Sequence, residues 1–209
     1  MYKYKISLRY NGCLFSGSQK QVNKKTVFGQ IETALSKVLK SSATVVPAGR
    51  TDSGVHSEFT VCHIEIDFKF NVKKIIVCLN KSLIKTGIQI IDINLVNSDF
   101  HALSSATMRT YNYFFSFDVL PSYLLHSVAY IDTPPIFFPT NKDLKKLFQG
   151  NKNFFSLCNH SGETKSYIRE ISNIHLSSKK YTTLFNKKIT IYCLAVSAQG
   201  FLYKMIRHI

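Results

Sequence analysis

The sequence predicts an α+β protein. Three observations carry this: strand-like alternation at the very start, helical apolar spacing in two later stretches, and the same mixture repeating in the second half. Residues 2–10 set Tyr2, Tyr4, Ile6, Leu8 and Tyr10 against Lys3, Lys5, Ser7 and Arg9, the period of a half-buried strand. A glycine-containing loop, YNGCLFSGSQKQ, follows. Thr26 is placed to cap a helix on which Val27, Phe28, Ile31, Leu35, Val38 and Leu39 share one face. A short apolar TVV, the loop PAGRTDSGVH and a strand from Phe59 to Phe68 come next. Asn71 is expected to cap a second helix carrying Ile75, Ile76, Leu79 and Leu83, before a strand from Ile88 to Val96.

In the second half, Tyr111–Phe117 is an aromatic strand. Asn141 opens a short helix with Leu144, Leu147 and Phe148, ended by Gly150. Ile168–Leu176 and Ile189–Ala198 are further strands, and Gly200 precedes an amphipathic FLYKMIRHI. No low-complexity linker interrupts the chain. Two halves are expected, 1–104 and 105–209.

Composition narrows the function. The 209 residues are 45% apolar, as in globular rather than disordered chains. No apolar run approaches the ~18 residues of a membrane span, and the N-terminus lacks the apolar core of a signal peptide. Lys and Arg total 27 against 12 Asp and Glu, a net +15 shared by both halves. Such a balance points to a polyanion, most often a nucleic acid. Cys13, Cys62, Cys78, Cys158 and Cys193 are odd in number and form no CxxC, so neither a disulfide framework nor structural zinc is expected. Reduced, buried thiols of a cytoplasmic protein are expected instead.

The segment with most chemical content is Ala48–Ser57, AGRTDSGVHS. Gly49 and Gly54 bracket Arg50, Thr51 and Asp52, with His56 just beyond, describing a loop with an unusual path and backbone room for a ligand. The string GRTDSGVHS resembles the GRTDxGVHA signature of the tRNA pseudouridine synthase A family. Other segments agree in order: Tyr10-Asn11-Gly12 through Phe15, Gly17, Gln19 and Gln21; Thr26–Glu32; Asn80 with Leu83; Phe100-His101-Ala102, Ser105-Ala106 and Arg109–Tyr113; and Phe201–Ile209.

The resemblance implies two ferredoxin-like halves forming a continuous, mainly antiparallel sheet. Helices would lie on one side, with a basic cleft between the halves. It implies isomerisation of uridine to pseudouridine at positions 38, 39 and 40 of the tRNA anticodon arm, by a homodimer without a cofactor. Asp52 would be the nucleophile. Tyr111 would stack on uracil and reach the proton leaving C5. Arg207 would be the ion-pair partner of Asp52. Arg50 would help extrude the base or bridge to Asp52, alternatives the sequence leaves open. His56 and His101 are expected in loop packing or phosphate contact, with Arg109 and Lys20 as further substrate contacts. Lys24, Lys25, Lys142, Lys145 and Lys146 are candidate phosphate contacts.

Three departures stand out. Ser18 replaces the family's Trp, so this position is expected to lack the RNA or packing interaction of an indole. Leu103 replaces an Arg. The chain stops at Ile209 where the family usually continues, so the rest of Arg207's helix and a final strand are expected to be missing. These departures define the alternative: a non-catalytic tRNA-binding or RNA-folding protein left by loss of the C-terminal segment.

Overall fold

The computed structural model describes residues 1–160 and 164–209. It divides into two compact units, Met1–Ala106 and Thr107–Ile209. Strand pairing forms two mainly antiparallel sheets, one in each unit, as the α+β reading with two ferredoxin-like halves expects.

The first unit runs β1 (Tyr2–Tyr10), α1 (Val27–Leu39), β2 (Val46–Pro47), β3 (Ser57–Ile66), α2 (Val72–Leu83) and β4 (Ile88–Val96). Its strands are all antiparallel, in the order β2-β3-β1-β4. This is the ferredoxin-like βαββαβ course. Alternation in β1 sends Tyr4, Ile6, Leu8 and Tyr10 into the core, where they meet Cys62, Ile64 and Ile66 of β3 and Ile88, Ile90 and Ile93 of β4. The helices close that same core with Val27, Phe28, Ile31 and Leu35 of α1 and Leu79 and Leu83 of α2. Ser7 pairs with Asp92 but Leu8 with Ile90, so a bulge shifts the β1–β4 register and keeps both apolar sets inward.

The caps of these helices differ. Asn71 Oδ1 accepts the Lys74 amide at 3.1 Å, as expected of an N-cap. Thr26 occupies the N-cap of α1 with extended backbone, yet its hydroxyl makes no capping bond. That side chain is 1% exposed, and its Oγ1 finds no hydrogen-bond partner among the described residues.

The second unit contains β5 (Arg109–Ser116), β6 (Ala129–Tyr130), α3 (Asn141–Phe148), β7 (Gly150–Asn153), β8 (Ile168–Thr182), β9 (Lys188–Ala198) and α4 (Met205–His208). The sheet order is β6-β5-β9-β8-β7, antiparallel except for the two-residue β5–β6 pairing. Leu144 of α3, Phe154, Ile171 and Ile174 of β8, Val196 of β9, Leu202 and Met205 form its main core. Thr140 caps α3 in a reciprocal box with Asp143, whose carboxyl is held below its usual range by the Thr140 hydroxyl and amide.

The final stretch is helical only over Met205–His208, because Lys204 takes a left-handed conformation (φ 58°) that starts the helix late. Cys62 and Cys158 are buried as expected, but Cys13 and Cys78 are exposed. Burial pushes the Cys62 thiol far up and leaves it inert. Among the described residues, no helix is long and apolar enough to cross a membrane, and no cluster of His, Cys, Asp and Glu could hold a metal.

Candidate active site

The Asp52 loop joins β2 to β3, and it is braced by the segment that follows β1. Asn11 starts a single 3-10 turn over Gly12–Leu14 by accepting the Cys13 amide on its Oδ1 at 3.1 Å. The chain then passes against residues 51–56 so closely that a Cβ on Gly12 would lie 2.0 Å from the Val55 carbonyl oxygen. Gly17 has φ +100°, and a Cβ there would sit 3.2 Å from the Thr51 carbonyl oxygen. These two glycines are therefore required by approach and by backbone conformation.

Hydrogen bonds fasten the same contact. The Ser18 amide donates to the Thr51 carbonyl at 3.1 Å, and the Thr51 amide donates to Ser18 Oγ at 2.8 Å. Tyr10 Oη and Thr51 Oγ1 lie 2.8 Å apart. Ser53 Oγ donates to the Phe15 carbonyl at 3.1 Å, and Cys13 Sγ lies 3.4 Å from His56 Nε2. Within the loop, the Val55 amide donates to the Asp52 carbonyl at 3.3 Å, closing a turn whose third residue, Gly54, has φ +82°. Asp52 is half-buried at the start of this turn and Arg50 is exposed two residues before it. The result is a carboxylate on a main chain held from one side, which is what a positioned nucleophile needs.

Ser18 therefore supplies a tertiary interaction of its own. It is 1% exposed and sits in the brace itself. Its role, and that of Tyr10, was hidden in sequence because their partner lies 33 and 41 residues away. The nearest signal was the pair of glycines flanking the segment.

His56 is half-buried against Cys13. His101 organises the loop after β4. Its carbonyl accepts the Ser105 amide at 2.8 Å, and its ring lies 5.1 Å from that of His63. His63 is 3% exposed and accepts the Ala102 amide on Nδ1 at 3.2 Å. Its pKa is lowered first by burial, then by His101 and Lys3, with Glu65 opposing. Lys20 Nζ pairs with Glu32 at 2.6 Å while its side chain stays 71% exposed. Lys142, Lys145 and Lys146 all lie exposed on α3.

In the second unit, Tyr111 lies on β5 opposite Val196 of β9, edge-on to Phe201 with ring centres 5.3 Å apart. Arg109, at the head of the same strand, donates from Nη1 to the Gln199 carbonyl. Arg207 lies exposed in α4, its amide bonded to the Lys204 carbonyl at 2.9 Å.

Known proteins share this pattern. The sequence model of a family described as tRNA pseudouridine synthase matches residues 145–209. The chain is 34% identical to tRNA pseudouridine synthase A of Caldicellulosiruptor saccharolyticus, over 97% of this chain and 79% of that protein. It is 32% identical to tRNA pseudouridine synthase A 2 of Clostridium perfringens, over 99% and 81%. It is 29% identical to the tRNA pseudouridine synthase A of Borreliella afzelii, over 100% and 81%. With identity at this level running across both units, and with the motif loop built as described, the chain belongs to the tRNA pseudouridine synthase A family.

Proposed function

We propose that this protein isomerises uridine to pseudouridine in tRNA, at positions 38, 39 and 40 of the anticodon arm. The reaction breaks the N1–C1′ bond and forms a C5–C1′ bond. C5 loses a proton and N1 gains one, so no electrons are exchanged with a partner. Asp52 is the nucleophile. Tyr111 stacks on the uracil and takes up the C5 proton. Arg207 supplies the countercharge to Asp52. The exposure of Arg50 favours its use on substrate, filling the space of the extruded base or holding a phosphate. Arg109, His56, His101 and Lys20 serve substrate binding, and the protein works as a cytoplasmic homodimer.

The observation that carries this reading is the half-buried Asp52 on a loop fixed by hydrogen-bonding contacts from residues 10–18. A surface turn residue has no need of such bracing. The basic balance of the chain suits a polyanionic substrate. The test is tritium release from tRNA labelled at uracil C5. The wild-type protein should release tritium and Asp52→Ala should not; equal release by both would remove Asp52 from the mechanism.

A further inference from the structure

We infer that Ser18 and Tyr10 are positioning residues for Asp52, acting through Thr51. The inference rests on the reading of Asp52 as nucleophile and adds two residues that act through the loop rather than on the substrate. Three polar groups of Thr51 have partners in the brace. Its amide donates to Ser18 Oγ at 2.8 Å, its carbonyl accepts the Ser18 amide at 3.1 Å, and its hydroxyl lies 2.8 Å from Tyr10 Oη. Ser18 Oγ also lies 3.4 Å from the Thr51 carbonyl oxygen. Both anchors are themselves held in place: Ser18 is 1% exposed, and Tyr10 is 6% exposed and pairs with Ser57 and Ile88 on neighbouring strands.

The geometry explains why the hold falls on Thr51. One peptide plane links the Thr51 carbonyl to the Asp52 amide, so fixing that carbonyl limits rotation about the bonds that aim the Asp52 side chain. On the other side of Asp52, Ser53 Oγ is tied to the Phe15 carbonyl at 3.1 Å. Asp52 is therefore pinned at both neighbours by bonds that use none of its own carboxylate atoms. Positional error at a reacting atom is expensive in rate, and a carboxylate on an untethered loop would sample many headings. Ser18 does this with both its hydroxyl and its amide.

The experiment compares Ser18→Ala, Tyr10→Phe and a destabilised control, Ile76→Ala, whose side chain packs against the core from α2. Steady-state tritium release separates kcat from KM for tRNA, and amide hydrogen exchange reads residues 50–54 without reference to activity. Ser18→Ala should lower kcat by about tenfold or more, leave KM within about twofold, and speed exchange of the Thr51 amide by about tenfold. Tyr10→Phe should show the same kcat-only loss with a smaller magnitude. Ile76→Ala should lower Tm without altering kcat at 25 °C. The inference is overturned if kcat of both clamp variants stays within twofold of wild type, or if Ile76→Ala loses as much kcat as they do. Should Ser18→Ala fail to fold, Tyr10→Phe decides on the same criteria. A wild-type protein with no tritium release would sink the catalytic reading instead, while the Thr51 exchange rate would still report whether the clamp exists.

Discussion

Gly12 is the residue at which a single added methyl group would most disturb the shape of the Asp52 loop. In Gly12→Ala the added carbon would lie 2.0 Å from the Val55 oxygen, 2.2 Å from the Val55 carbonyl carbon and 2.8 Å from the His56 nitrogen. All three are main-chain atoms, so no side chain can swing aside. Restoring ordinary contact requires one backbone to retreat by roughly 1 Å or more, against a core that resists expansion. Overpacking of this kind costs about 1–3 kcal/mol, and contact with backbone places it at the upper end. For a unit of this size the melting temperature should fall on the order of 10 °C. The activity should fall further, because displacing a reacting group by about 1 Å costs about a hundredfold in rate. Tritium release at 20 °C, well below the transition, measures kcat, and calorimetry measures Tm. Gly200→Ala is the control, since among the described residues a Cβ there meets nothing within 4 Å. A Gly12→Ala protein with kcat within threefold of wild type and Tm within 2 °C would refute the claim that this contact sets the loop.

Two further outcomes follow from buried polar groups. His63 is held below its ordinary value of 6.5 by burial and accepts the Ala102 amide only when neutral, so its contribution to stability is complete above about pH 6.5 and is lost as pH falls through that range towards the folded-state value. The urea midpoint should accordingly drop between pH 7.5 and 5.5, and His63→Asn, which keeps an acceptor without titrating, should flatten that drop; an unchanged pH dependence would exclude His63 as its source. Thr26→Val replaces a buried hydroxyl that has no hydrogen-bond partner among the described residues with a methyl of similar shape, and should leave stability unchanged or raise it by up to about 1–3 kcal/mol. A fall in Tm of more than 3 °C on calorimetry would show that this hydroxyl is bonded in solution.

Sequence periodicity was informative wherever one face of an element is buried. β1 spans Tyr2–Tyr10 and β4 spans Ile88–Val96 as the alternation predicts, because a slip of one residue would turn Ile6 and Leu8, or Ile88 and Ile90, away from the core. Where burial does not write the pattern, the reading stops short. β8 runs on from Leu176 to Thr182 through exposed Ser, Lys and Tyr, held by pairing with β9 rather than by an apolar face. β6 and β7 are short edge strands without any alternation to find. Thr26 was legible as a cap position but not as a buried hydroxyl that makes no capping bond. Asp52 stood out because two glycines mark its loop. The brace could not be seen in the same way, since each of its bonds is a tertiary contact between residues 33 to 43 apart in the chain. A glycine announces that something comes close without saying what.

The brace also bears on how this chain tolerates mutational drift. Part of its hold on the loop falls on amide and carbonyl groups, which nearly every residue type carries: the nitrogen and oxygen of Thr51, with the oxygen of Val55 packed close to Gly12. Replacements at Val55 that keep the backbone path leave those contacts intact, whereas any side chain at Gly12 destroys one. The geometry of Asp52 thus depends on a residue with no functional group at all, forty positions upstream of its carboxylate.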